Sequence, residues 1–196
     1  MIEWLDRLDQ NLFLLLNGLY SGFWDGVMFW ISGKTSWVFL YVIILIWLAS
    51  IYRWRMMLVV ILVAVCVTLT DQISVHLFKD LIQRLRPCHN PDIQHLVHLV
   101  NNHCGGSYGF VSSHAANTFG IAMFTSGLLK TRSYSWLIFI WASVVGYSRI
   151  YLGVHYPGDV VFGAMLGLLI GWFMMVAFRL LQKWVTENRI PYSKSL

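Results

Sequence analysis

The sequence predicts an all-α, polytopic membrane bundle of five or six spanning helices behind an N-terminal interfacial region. Two observations carry that fold class. Of 196 residues, 58% are hydrophobic and only 12% are charged, about half the charged share of a typical soluble domain. The apolar residues also fall into runs of bilayer length, with the charges gathered between them. This composition excludes a disordered chain and argues against an ordinary soluble enzyme. The length suits one domain over 1–196. The formal charge of +5 points to basic cytoplasmic loops and not to a nucleic-acid partner.

Residues 1–31 read as two short amphipathic helices. Ile2, Leu5, Leu8 and Leu12 recur at helical spacing opposite Glu3, Asp6, Asp9 and Gln10, which suits an anchor lying on the bilayer surface. A break is expected from Asn17-Gly18 to Ser21-Gly22. The rival reading is a sixth span over 12–31; Asn17, Gly18, Gly22 and Asp25 weigh against it. The first ten residues hold three acids, so no secretory leader is expected there. Over 36–181, five apolar segments follow, at about 36–52, 56–78, 115–129, 134–150 and 159–181, with a long polar stretch over 80–113.

Charge sets the expected orientation. Arg53, Arg55, Lys130, Arg132, Arg179, Lys183, Arg189 and Lys194 share one face with a single acid, Glu187. The opposite face carries six cations against eight acids. The basic face is cytoplasmic by the positive-inside rule, so the long loop and the N-terminal region face outward.

Three polar clusters sit on that outward face. Lys79 and Arg86 are seven residues apart, which on a helix puts them on one side, and Pro87 would end that helix. Ser112-Ser113-His114 runs straight into an apolar segment; either serine suits an N-cap, and the helix N-terminus suits an anion. Ser148-Arg149 precedes His155, with Pro157 in the first turn of the last helix and Asp159 placed to reach back to His155. Taken singly, each cluster has a plain structural reading: snorkelling cations, a helix cap, an Arg149–Asp159 ion pair. Together they bring three cations, two histidines, one acid and several hydroxyls to one face, a set that fits a multiply charged anion such as phosphate.

The array Lys79-x6-Arg86-Pro87, Ser112-Ser113-His114 and Ser148-Arg149-x5-His155-x3-Asp159 resembles the type 2 phosphatidic acid phosphatase superfamily over about 71–162. The middle motif departs from the usual Pro-Ser-Gly-His, with Val111 for Pro and Ser113 for Gly. The resemblance implies a membrane lipid phosphatase of bacterial type. His155 is then the nucleophile that becomes phosphohistidine, Asp159 orients it, and His114 serves as general acid and then base. Lys79, Arg86 and Arg149 hold the phosphoryl oxygens, with Ser112, Ser113 and Ser148 as further donors. No metal or other cofactor is implied. The expected partners are the bilayer and a lipid phosphate or diphosphate: undecaprenyl diphosphate, ranked first, then phosphatidylglycerophosphate, phosphatidic acid or a lipid A-type glycolipid. The expected setting is a bacterial plasma membrane with the site facing outward. Rival readings are transfer of phosphate to another lipid and a non-catalytic transporter.

Several weaker signals complete the reading. Cys88 and Cys104 flank the outward loop, and a disulfide between them is expected in an oxidising compartment; free thiols, or a zinc site with His89, His95, His98 and His103, are the alternatives. Cys66 reads as a small apolar residue. His76 suits packing or support of the site. Asp71, near the outer end of its segment, suits a supporting role beside the cations or a structural hydrogen bond. Gly163, Gly167 and Gly171 predict close helix packing, within the chain or across a dimer. Trp4, Trp24 and Trp30 are candidates to flank a lipid access route.

Overall fold

The structure is a computed structural model and describes residues 2–187; Arg189 and Lys194, assigned above to the cytoplasmic face, lie outside them. Among the described residues all regular structure is helical, and the one β-type pairing is an isolated bridge between Leu85 and Tyr108. Helix α1 (Ile2–Asn17) and α2 (Gly22–Ser32) flank the expected break and bend by 117° across it. Then come α3 (Val38–Tyr52), a tight turn over Arg53–Arg55, and α4 (Met56–Gln72). Helix α4 runs on as a π-helical stretch (Ile73–Lys79) into the short α5 (Asp80–Ile82). Beyond the long polar loop are α6 (Ser113–Leu129), α7 (Arg132–Tyr151) and α8 (Pro157–Glu187).

Among the described residues, two helical stretches are long and apolar enough to cross a membrane: Val38–Ile82, of 45 residues, and Pro157–Thr186. The bent pair α1–α2 would make a third. A straight 45-residue helix would be about 67 Å long, over twice the hydrocarbon core. The stretch instead folds back at Arg53, whose φ is +46°. The Tyr52 hydroxyl donates to the Leu128 carbonyl at one end of α6 (2.9 Å). Lys79 donates to Ser113 Oγ at the other end (2.9 Å). These contacts run α4 antiparallel to α6, while Trp47 on Tyr134 and Tyr41 on Trp141 run α3 the opposite way along the next helix, α7, so α3 and α4 are an antiparallel pair.

Helices α6 and α7 match two expected segments in position but do not meet the same test of length and apolarity. Helix α6, at 17 residues, is a little shorter than the ~20 a bilayer core requires. Helix α6 packs along α8, α7 and α4 and buries Thr118 and Thr125 inside the protein, so its surroundings are protein and its polar groups find protein partners. The glycine stripe works within the chain. A Cβ on Gly167 would stand 2.8 Å from the Gly120 nitrogen, and one on Gly171 would stand 2.9 Å from Met123 Cβ, so these glycines let α8 lie directly against the α6 backbone.

A core of Ile44, Leu48, Leu62, Phe124, Trp141 and Phe178 fills the bundle between α3, α4, α6, α7 and α8. The long polar loop is ordered against the bundle. Ile93 joins Phe13, Ile150 and Tyr156 in a buried cluster, and Val100 joins Tyr151, Leu152 and Val154 in another. Asn17 ties the N-terminal region down: its amide donates to the His98 and Tyr151 carbonyls (3.0 and 2.8 Å) and accepts from the His98 N–H (2.8 Å).

The amphipathic α1 buries Phe13 against the bundle and exposes a stripe of leucines. Leu5, Leu8, Leu12 and Leu15 are exposed, while Asp6 and Asp9 reach inward to Arg84. A helix that turns Asp6 and Asp9 to protein and Leu5, Leu8, Leu12 and Leu15 out suits a lipid surface.

Candidate active site

Sequence spacing places Lys79 and Arg86 on one helix, and the structure corrects that. The helix stops at Ile82, because Gln83 takes a left-handed conformation (φ +52°). Residues 84–86 are extended. The Gly109 N–H donates to the Arg84 carbonyl (2.9 Å) and the Arg86 N–H to the Ser107 carbonyl (3.0 Å). Pro87 also restricts Arg86 to extended backbone, where it sits at φ −67°, ψ 156°. Lys79 and Arg86 still converge on one cavity. Extended backbone has a period of two, so Arg84 and Arg86 point the same way.

Arg86 is held by the long polar loop. Its Nη1 donates to the Cys104 carbonyl (3.2 Å) and its Nε to the Tyr108 carbonyl (3.3 Å). Cys88 and Cys104 are bonded to each other, with Cα atoms 6.1 Å apart. His89 lies beside them, but two sulfurs joined to each other do not act as thiolate ligands. Cys66 is a buried free thiol, as its apolar reading implies.

His155 and Asp159 form the centre. Pro157 starts α8, and Asp159 in its first turn reaches back so that Oδ2 lies 3.3 Å from His155 Nδ1. Oδ2 also accepts the Tyr156 N–H (3.0 Å), and Oδ1 accepts from Arg84 Nη1 (3.0 Å). Both side chains are almost fully buried. The nitrogen bonded to Asp159 is Nδ1, which leaves Nε2 as the one turned away from it. Burial, with Arg86, Arg149 and Lys79 nearby, holds the His155 imidazole well below the ordinary histidine range, so at neutral pH it is unprotonated, the state a nucleophilic imidazole requires.

Around it lie the other groups. Lys79, Arg86, Ser113, His114, Arg149 and His155 line one cavity of about 850 Å³. Lys79 Nζ donates to Ser113 Oγ, which pairs with Ser74 Oγ (2.7 Å). Arg149 bonds to Ser32 Oγ of α2. Its Nε is buried without a hydrogen-bond partner among the described residues, an orphan donor of the kind that an anionic oxygen would satisfy. Ser113 and His114 open α6, where N–H groups have no carbonyl of their own helix to bond. Below the polar end the cavity runs down between α3, α4, α6 and α7 along Leu45, Leu48, Val63 and Ile121. Such a shape takes an anionic head with an apolar tail.

Not every expected residue reaches the cavity. Ser148 Oγ donates to its own helix at the Val145 carbonyl (2.7 Å) and is buried. Ser112 is the N-cap: Oγ accepts from the Ala115 N–H (3.5 Å), while its own N–H donates to the Asp159 carbonyl (2.9 Å). Short hydroxyls at helix ends satisfy local backbone first. The Arg149–Asp159 ion pair does not form; Arg84 takes that acid. Asp71 lines the cavity wall. His76 is exposed and paired with Asp80 (3.2 Å). Trp4, Trp24 and Trp30 are exposed; Trp30 packs on Trp37, which lines the cavity (5.2 Å between rings).

Sequence reasoning missed Arg84, Asp9, Ser32 and the cavity-lining Lys34. Only the alternation of Arg84 with Arg86 before Pro87 could have flagged the first.

The family model described as the PAP2 superfamily matches residues 56–183. A protein of Bacteroides thetaiotaomicron named lipid A 4'-phosphatase is 41% identical over 195 residues, covering 97% of this chain and 86% of that one. A Porphyromonas gingivalis protein of the same name is 36% identical over 174 residues, covering 88% of this chain and 74% of that one. The crystal structure of a transmembrane PAP2-type phosphatidylglycerolphosphate phosphatase from Bacillus subtilis superposes with a TM-score of 0.61 at 24% identity. That superposition covers 97% of this chain and 89% of the other and bears on the fold.

Proposed function

The chain belongs to the PAP2 superfamily, and from that premise we propose that it hydrolyses the 4'-phosphate of a lipid A-type glycolipid through a phosphohistidine on His155. The chain is a multi-pass membrane protein of a lipid phosphatase family; substrate, intermediate and membrane face are our reading.

The observation that carries it is the convergence of Lys79, Arg86 and Arg149 around a buried, Asp159-bonded histidine. Three cations lower the cost of the charge spread over the phosphoryl oxygens as transfer proceeds. Nε2 of His155 attacks phosphorus as the bond to the leaving oxygen breaks. His114 gives that oxygen its proton, and Asp159 stabilises the imidazolium that forms. His114, now unprotonated, takes a proton from water; the water oxygen bonds phosphorus, the P–N bond breaks, and phosphate leaves with His155 restored. Ser113 adds a hydroxyl beside Lys79; Ser112 and Ser148 support the helices that carry the site.

Two relatives that cover most of this chain carry the name lipid A 4'-phosphatase, which supports a glycolipid monophosphate ahead of undecaprenyl diphosphate. In our reading five helices, α3, α4, α6, α7 and α8, cross the bilayer. The turns at Arg53–Arg55 and Lys130-Thr131 face the cytoplasm, the site faces outward, and α1 lies in the outer interface.

Phosphate release by the purified protein in detergent, with chelator present, tests the reading. Substrates are lipid A, undecaprenyl diphosphate, phosphatidylglycerophosphate and phosphatidic acid, with His155→Ala alongside. Fastest release from lipid A, lost in the variant, is expected. Faster release from undecaprenyl diphosphate would restore that substrate. Phosphate recovered on a second lipid would favour transfer.

A further inference from the structure

We infer that Arg84 and Asp9 are positioning residues for the His155–Asp159 pair, with α1 as the arm that delivers Asp9 to the site. The inference rests on the phosphatase reading above.

Arg84 joins three carboxylates from two ends of the chain. Its Nη1 lies 3.0 Å from Asp159 Oδ1 and 2.8 Å from Asp9 Oδ2, and its Nη2 lies 2.7 Å from Asp6 Oδ1. The guanidinium sits over the Tyr156 ring, 4.0 Å from its centre, and Asn90 donates to the Tyr156 hydroxyl (3.0 Å). Asp9 holds the site a second way: its Oδ1 accepts the Gly158 N–H (2.8 Å), one residue from Asp159 in the first turn of α8. A Cβ on Gly158 would stand 2.7 Å from Asp9 Oδ2, so α1 seats directly on that turn.

This arrangement fixes one oxygen of Asp159 so that the other meets His155. It also sets the charge. A lone arginine on Asp159 would weaken the carboxylate that must stabilise an imidazolium; Asp9 and Asp6 return negative charge to the cluster. The nucleophile then has a net-negative group behind it and Lys79, Arg86, Arg149 and His114 before it. The exposed leucines of α1 give the arm a bilayer to rest on, which keeps Asp9 seated.

The test is kinetics on the full chain in lipid-containing micelles, with lipid A as substrate and thermal unfolding as the check on folding. Asp9→Asn is nearly isosteric and keeps an oxygen for the Gly158 N–H. Its expected effect is a fall in kcat of roughly 10- to 100-fold with KM within about twofold, the range for loss of an outer partner of an active-site histidine. The acid limb of kcat/KM should move to lower pH in Asp9→Asn, which removes a negative charge behind His155. It should move to higher pH in Arg84→Gln, which removes a positive one. Arg84→Lys keeps the charge but loses the fork, so the limb should stay while kcat falls. Opposite shifts do not follow from a merely structural role. If Arg84→Gln fails to fold, Asp6→Asn, at a half-exposed acid, replaces it with a smaller shift in the direction of Asp9→Asn. Wild-type kcat and unmoved limbs in these variants would overturn the inference alone. A wild-type protein that releases no phosphate from any lipid would overturn the phosphatase reading, and the inference with it.

Discussion

Gly109 stands where a side chain would collide with the carboxylate of Asp159: a Cβ there would lie 3.0 Å from Oδ2, 3.2 Å from Arg86 Cγ and 3.6 Å from His155 Nδ1. Asp159 is held by Arg84 and the Tyr156 N–H, so the pair must shift. Gly109→Ala is expected to fold and to lose roughly 10-fold in kcat, because its neighbours need give only a few tenths of an ångström, a fraction of the ~1 Å misplacement that costs about 100-fold. Steady-state kinetics beside a thermal melt would check it; wild-type kcat would contradict this role for Gly109.

The loop disulfide is expected to act on Arg86. Cys104 offers its carbonyl to that guanidinium and is bonded to Cys88 across a separation of 16 residues. Replacing both cysteines with serine should cost about 3 kcal/mol of stability and raise KM several-fold as Arg86 loosens. Thermal unfolding with and without reductant measures the first effect, and substrate titration the second. No change in either would show that the loop holds Arg86 without the bond.

Ser113 replaces the family's glycine with a hydroxyl, and Lys79 uses it. Ser113→Ala removes one hydrogen bond to a charged donor, worth about 1.5–3 kcal/mol at most. The expected result is a KM change of up to about 100-fold with the pH profile intact. A change in the pH limbs instead would place Ser113 in proton transfer.

The depressed proton affinity of His155 makes two pH predictions. Rate should follow a bell, with an acid limb below the ordinary histidine pKa of about 6.5; the apparent values belong to the coupled site. Stability should fall as pH drops below about 6.5. In that window the unfolded chain takes a proton at this position and the folded one does not, at about 1.4 kcal/mol per pH unit. Thermal melts of wild type and His155→Ala from pH 7 to 5 would show it. Equal slopes for the two proteins would contradict it.

Much of this fold is readable in the chain because its information is local. The apolar runs at 36–52 and 56–78 became α3 and α4, and the spacing of Arg149, His155 and Asp159 around Pro157 fixed a turn that closes on itself. What was not readable depends on distant partners. Arg84 meets Asp159 across 75 residues and Asp6 across 78, and no local period marks such a pair. Ser148 sits in the motif yet bonds its own helix, because sequence order does not say which way a hydroxyl turns. Gln83 adopts a left-handed conformation that no glycine announces, so the helix expected to carry Arg86 ends early.

The central claim is that His155 carries phosphate during turnover. The most direct measurement is to mix the protein with its best lipid substrate, quench in alkali within the first turnover, and map phosphate onto peptides by mass spectrometry. Phosphate on His155 in wild type, and on no residue in His155→Ala, is the expected result. Turnover without any phosphorylated histidine, or with phosphate on His114 alone, would contradict the account.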